Sequence, residues 1–217
     1  MPLSDRFDLP QGTIVLWKID ETEAELRAFC TADECTAAAT RFSTANRRRE
    51  WLAWHAALRI IVPDAEPFYL PDGAPAIGEG LRIGVSHTRG YAAVIVGRTD
   101  SAVDIERRDR DFTAAEPRFL TDEERAIIAR AGGMLTSGIV WCAKETLYKL
   151  DAGENADLRR DIRITGFDSA GPTIDGSVRG RIHRLGMVPH AELHIVFGTT
   201  ERQRDRRTDL PAPSDDE

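Results

Sequence analysis

The sequence predicts an α+β fold, and three observations carry that reading. Thr44 to Val62 holds apolar residues at helical spacing. Leu81 to Val96 reads as a hairpin. Beyond Gly153 the helical pattern gives way to strand-like segments. The chain has 217 residues, enough for one large domain or two small fused ones with a real core. Apolar residues make up 41% and charged residues 30%, the balance of a water-soluble globular protein. No apolar run approaches the ~18 residues that span a membrane. Met1 to Arg6 lacks the basic-then-apolar layout of a secretory signal. Cys30, Cys35 and Cys142 make neither a disulfide framework nor a zinc set, which predicts a reducing, cytoplasmic address. A net charge of −7 argues against general nucleic-acid binding, although a basic cluster can still grip one particular anion.

The elements follow in order. Residues 12 to 19 read as a buried strand, and Glu21 to Cys30, with Leu26 and Phe29, as a short helix. Thr44 opens a helix whose stripe is Trp51, Leu52 and Leu58. Ile60, Ile61 and Val62 close it and Pro63 ends it. Phe68 to Leu70 is a strand, followed by a turn over Pro71 to Pro75. The hairpin turns at Arg89-Gly90 and places Ser86, His87 and Thr88 at its tip. Ala102-Val103-Asp104-Ile105-Glu106 is a strand. Thr121 and Glu124 form a capping box for a helix that stops at Gly132-Gly133. Ile139 to Leu150 is a further helix, with Val140, Ala143, Leu147 and Leu150 toward the core. Ile162 to Phe167, Thr173 to His183 and Ala191 to Phe197 are expected to form an antiparallel meander. Residues 201 to 217 read as a disordered tail.

The chemistry centres on the strand at 102–106. Alternation puts Val103 and Ile105 on one face and Asp104 and Glu106 on the other. Those carboxylates stand roughly 7 Å apart at ~3.3 Å per residue. Like charges that close raise each other's pKa unless a cation lies between them, and Mg²⁺ with phosphate oxygens suits such a pair. On the later helix Trp141, Glu145 and Lys149 recur at i, i+4, i+8. Glu145 and Lys149 read either as an exposed ion pair or as a third carboxylate with a phosphate-steadying cation. Arg41 to Arg59 holds five arginines and one glutamate, a suitable source of a phosphate-binding guanidinium. Ser86 lacks a G-x-S-x-G frame, so it is not expected to be a nucleophile. His190, Glu192 and His194 read as a polar outer face rather than a metal site.

Three segments stand in one order: Gly84-Val-Ser-His-Thr-Arg-Gly90, Ala102-Val-Asp-Ile-Glu106 and Trp141-Cys-Ala-Lys-Glu-Thr-Leu-Tyr-Lys149. Together they resemble the 4′-phosphopantetheinyl transferase superfamily, with its (I/V)SH(S/T)-x-G, G-(I/V)-D-(I/V)-E and W-x-x-K-E-x-x-x-K motifs. Arg47-Arg48-x-Glu50-Trp51-Leu52 resembles the early basic helix of that family. The length is similar to its long, pseudo-dimeric type. The resemblance implies two similar α+β halves, 1–100 and 101–200, each a small antiparallel sheet packed on a long helix. The seam is expected near 98 to 103. It implies Mg²⁺-dependent transfer of the phosphopantetheine arm from coenzyme A to a serine of an acyl, peptidyl or aryl carrier protein, a holo-acyl-carrier-protein synthase activity. Adenosine 3′,5′-bisphosphate is the other product, and Mn²⁺ is an alternative metal. Asp104, Glu106 and Glu145 match the metal ligands. Glu145 also matches the general base, and Lys149 the lysine on the pyrophosphate. Ser86, His87, Arg47 and Arg48 match groups that touch coenzyme A phosphates, and Lys144 is expected on the phosphate-facing rim.

The chain also departs from the family pattern. Ala74 stands where Lys or Arg is usual, Gly84 where Asn is frequent, Ala102 where Gly is frequent and His55 near a common arginine. Arg82 or Arg89 is expected to replace the charge missing at Ala74. Neither membrane nor nucleic acid is an expected partner, and a fused pseudo-dimer is expected to be a monomer. The competing readings are a non-catalytic coenzyme A- or carrier-binding relative and an unrelated metal hydrolase. The intact Asp104, Glu106, Glu145 and Lys149 set favours the enzyme.

Overall fold

A computed structural model describes residues 3–70, 75–78, 80–152 and 155–200. The turn expected at 71–74, with Ala74, and the tail expected at 201–217 lie outside the described residues. The fold is mixed α+β, and the described residues form two antiparallel sheets and six α-helices. The strands are β1 (Leu3–Leu9), β2 (Gly12–Lys18), β3 (Phe68–Tyr69), β4 (Pro75–Ala76), β5 (Arg82–Thr88), β6 (Tyr91–Gly97), β7 (Asp100–Arg107), β8 (Ile162–Asp168), β9 (Thr173–Val178), β10 (Arg181–Met187) and β11 (Leu193–Thr200). The helices are α1 (Glu23–Leu26), α2 (Ala32–Arg41), α3 (Ala45–Ile61), α4 (Glu116–Phe119), α5 (Asp122–Arg130) and α6 (Ser137–Leu147). The first sheet runs β1-β2-β6-β5-β4-β3 and the second β7-β11-β10-β9-β8.

Alternation along the central strands builds four layers. Val15 and Trp17 of β2 and Val94 and Val96 of β6 pack under Leu52, Ala53, Ala56 and Leu58 of α3. The intervening residues, Ile14, Leu16, Ala93 and Ile95, face the other way and meet Val103, Ile105, Leu193, Ile195 and Phe197 of the second sheet. The far side of that sheet, with Ile164, Ile174, Leu185 and Val196, receives Val140, Ala143 and Leu147 of α6. The order is therefore α3, first sheet, second sheet, α6. This fits a pseudo-dimeric arrangement in which each half covers one sheet face with a helix and shares the other.

The edge strand β7 runs against β5 where the sheets meet. Gly84 makes that approach possible. A Cβ built there would sit 2.6 Å from the Ser101 carbonyl oxygen and 2.7 Å from the Ala102 Cα. Backbone cannot rotate away as a side-chain tip can, so the Asn frequent in the resembling family has no room here. Gly84→Ala is expected to destabilise the fold by ~1–3 kcal/mol through overpacking. Urea unfolding checks this, and an unchanged midpoint would show that the seam yields.

Some elements differ from expectation. Strand β1 and helix α2 were not foreseen. β1 is half polar and is recruited by pairing with β2. α2 opens with a Thr31–Glu34 capping box. The short helix at 21–30 is one α turn followed by a 3₁₀ turn over Arg27–Phe29, and Phe29 is exposed. The strand expected over 173–183 is a hairpin, because Arg179 (φ 48°) and Gly180 (φ 88°) both turn left-handed between β9 and β10. The last helix ends its α hydrogen bonding at Leu147 and continues as a π turn over Tyr148–Ala152.

Candidate active site

The site lies at the seam of the sheets, under α6. Strand alternation buries Val103 and Ile105 between the sheets and turns Asp104 and Glu106 to the α6 side. Both carboxylates are buried, at 6% and 8% exposure, where an unpaired charge is costly. Their partners come from three other elements. Ser86 and Thr88 at the β5 tip donate their hydroxyls to Asp104 Oδ1 (2.9 Å) and Glu106 Oε2 (2.8 Å). The Ile105 amide donates in turn to Ser86 Oγ (3.2 Å), so Ser86 is a bridging hydroxyl rather than a nucleophile. Lys149 Nζ, on the π turn, donates to Asp104 Oδ1 (2.7 Å) and to the Val103 carbonyl (3.0 Å). Arg110 is ion-paired with Glu106 and lies over the Phe112 and Trp141 rings.

Glu145 approaches from α6. Burial, then the neighbouring Asp104 charge, raises its pKa above the usual value. Glu106 is also raised, first by burial and further by Asp104, against the lowering pull of Thr88 and Arg110. Glu106 and Glu145 thus share one low-dielectric region beside the Asp104 carboxylate, and both hold their protons more tightly there. Asp104 Oδ2 is buried and has no hydrogen-bond partner among the described residues. That oxygen, and the all-oxygen donor set, fit a hard divalent cation. The three side chains nevertheless do not form a ready-made cage. Among the described residues, no group of three His, Cys, Asp or Glu stands in metal-holding geometry. Lys149 and Arg110 pair with the two strand carboxylates here.

The phosphate-seeking residues are redistributed. Arg47 is at the site, its Nη1 donating to His87 Nε2 (2.7 Å) and Glu50 Oε2 (3.0 Å). Arg48, expected beside it, is not. It binds Glu23 (2.8 Å) and the carbonyls of Phe42 and Ser43, because the next helical position is rotated ~100° away. Arg49 holds the carbonyls of Ile19 and Glu21, Arg59 pairs with Glu34, and Arg41 stacks on Trp51 and Tyr69. Lys144 is the largest correction. It is fully buried, donating to the carbonyls of Phe119, Leu158 and Ile162 and paired with Glu124 (2.7 Å), so no phosphate reaches it. Arg82 pairs with Asp100, roughly 16 Å along β5 from His87, and Arg89 pairs with Asp109 on the surface. Neither stands beside the Arg47–His87 pair.

The polar face expected at 190–194 is also different. His190 Nδ1 accepts from the amides of Glu192 and Leu193, and Glu192 takes the Tyr91 hydroxyl and Arg107. His194 turns inward, the cross-strand neighbour of Glu106, and burial lowers its pKa to about 4. Cys142 is fully buried and its thiol is raised well above its ordinary value, so it is no nucleophile. Arg110 and Glu50 were missed as site residues. Arg110 stands four residues after Glu106, but outside any helix that spacing signalled nothing.

These features define an acidic centre at a two-sheet seam, flanked by lysine, arginine and histidine. The family model of the 4′-phosphopantetheinyl transferase superfamily matches residues 102–202, a stretch that carries Asp104, Glu106, Glu145 and Lys149. Over that stretch the chain is similar to the superfamily, whose chemistry is phosphopantetheinyl transfer. No curated protein matches the sequence. Among the described residues, no helix is long and apolar enough to cross a membrane.

Proposed function

We propose that this protein moves the 4′-phosphopantetheine group of coenzyme A onto a serine of an acyl or peptidyl carrier protein and releases adenosine 3′,5′-bisphosphate. The observation that supports this most is the convergence of Asp104, Glu106, Glu145 and Lys149 from two distant segments on one buried region, inside the stretch that matches the superfamily. In this reading residues 1–100 supply the coenzyme A phosphate side and 101–200 the acidic centre. The core shared between the halves supports a monomer. The three free cysteines fit a cytoplasmic setting.

Each residue then has a task that follows from its surroundings. Arg47 and His87 receive a coenzyme A phosphate on the α3 side of β5. Lys149 neutralises charge that develops on the departing phosphate. Glu145 takes the proton of the carrier serine, since burial and Asp104 make it a stronger base than an exposed carboxylate. Asp104 and Glu106, with Glu145, would hold Mg²⁺, which supplies charge neutralisation for the diphosphate. Ser86 and Thr88 orient the two strand carboxylates. Incubation with Mg²⁺, dye-labelled coenzyme A and carrier proteins tests the proposal. Label on the carrier serine is expected, and coenzyme A binding without label would point to a non-catalytic relative.

Metal binding has its own signature. Glu106 and Glu145 hold their protons more tightly folded than unfolded. Between the two pKa values the folded state binds more protons, so their contribution to stability falls as pH rises through the folded pKa. Mg²⁺ offsets that loss only where the carboxylates are ionised. Millimolar Mg²⁺ is expected to raise Tm by ~2–4 °C near pH 8, and by less near pH 5. An equal or absent shift at both would remove magnesium from this site.

A further inference from the structure

One cluster carries more than the proposed function uses. Glu50 is 7% exposed on α3. Its Oε1 accepts from Asn46 Nδ2 (2.7 Å) and its Oε2 from Arg47 Nη1 (3.0 Å), with His87 Nδ1 3.4 Å from Oε2. The same Arg47 nitrogen lies 2.7 Å from His87 Nε2. A guanidinium only donates, so Nε2 must be the acceptor and the ring proton must sit on Nδ1, facing Glu50. Arg47 therefore sets the tautomer across a gap of 40 residues in sequence, between α3 and the β5 tip, and Glu50 faces the Nδ1 proton. His87 and Ser86 are neighbours on one strand with opposite side-chain directions, so this cluster is separate from the hydroxyl bridge to Asp104.

We infer that Glu50 is a positioning residue, holding Arg47 and His87 as a paired phosphate receptor in which Nε2 is kept free to take up a proton. The inference rests on the proposed coenzyme A reading. When a phosphate arrives, Arg47 Nη1 leaves Nε2 for a phosphate oxygen. Nε2 accepts one proton from solvent, and the imidazolium donates Nε2–H to the phosphate and Nδ1–H to Glu50. No bond other than these N–H bonds is made or broken. The charged groups that act on His87 are Glu50 and Arg47 from α3, Lys149 from the π turn and Asp104 from β7. The two cations oppose the added charge and the two carboxylates favour it. Removing Glu50 therefore tips the balance against proton uptake.

The test is calorimetric titration of coenzyme A into the Mg²⁺-loaded protein near pH 7.5, in buffers of different ionisation enthalpy. Wild type is expected to take up a substantial fraction of one proton on binding. Glu50→Gln, which keeps the shape and an acceptor for Nδ1–H, is expected to bind coenzyme A ~5–10-fold more weakly, the scale of one typical hydrogen bond. Its proton uptake should be largely lost, with kcat at saturating coenzyme A within about twofold of wild type. His87→Asn should show the same two losses, and combining it with Glu50→Gln should add little further. Unaltered affinity and proton uptake in Glu50→Gln, or kcat and KM changing together, would overturn the positioning role while leaving the transferase reading intact. A folded wild-type protein that binds no coenzyme A would overturn that reading, and this inference with it.

Discussion

Glu145→Gln is expected to abolish carrier labelling, by ~10²–10⁴-fold in kcat, while leaving the protein at least as stable as wild type. The two effects have one cause. Burial and the Asp104 and Glu106 charges raise the pKa of Glu145, so its ionised form sits where the fold disfavours negative charge. An amide of the same shape relieves that repulsion, and Tm should hold or rise slightly. The amide cannot take the serine proton, and general-base catalysis is worth ~10²–10⁴. Thermal melting alongside the dye-coenzyme A assay separates the outcomes. Full activity in Glu145→Gln would transfer the base role elsewhere, and a collapsed Tm would show that Glu145 is structural.

Lys144→Met is expected to do the reverse, destabilising the fold by ~3–5 kcal/mol as the removal of one partner from a buried charge pair does. Lys144 joins the capping-box Glu124 of α5 to the carbonyls of Phe119, Leu158 and Ile162, and Glu124 also accepts from the Ile164 and Thr121 amides. Without the ammonium, a buried carboxylate and three carbonyls lose their donor together. At ~2–4 °C per kcal/mol, Tm should fall by about 6–20 °C. Lys144→Met with Glu124→Leu should be less damaged than Lys144→Met alone, since no unpaired charge remains. Activity per folded molecule should be retained below the transition. A KM effect on coenzyme A without loss of stability would return Lys144 to the phosphate site.

These neighbouring residues show how far the sequence could be read. Asp104 and Glu106 were legible because two-residue alternation depends only on a strand with one apolar side. The capping box at Thr121 was legible because its spacing is local, although its glutamate also serves a distant lysine. Arg48 and Lys144 were misread for a shared reason. A cation in a motif has the same letter whether it meets solvent phosphate or a buried carbonyl, and only the packing of α1, α5 and β8 distinguishes them. β1 was missed because its stability comes from pairing with β2 rather than from its own pattern.

By itself the sequence determined the local periodicities: which strand carries two carboxylates on one side, which helix spaces Glu145 four residues before Lys149, and which motifs stand in what order. Those follow from backbone geometry, which repeats every 2 or 3.6 residues whatever surrounds it. The tertiary structure decided everything that depends on distance across the chain. Gly84 lets two backbones touch at the seam, which sets the β5 hydroxyls on the β7 acids. The π turn delivers Lys149 to Asp104. Glu50, silent in the sequence, meets His87 only because α3 lies over the β5 tip. Charges separated by 37 residues acquire a common electrostatic fate when folding removes the water between them.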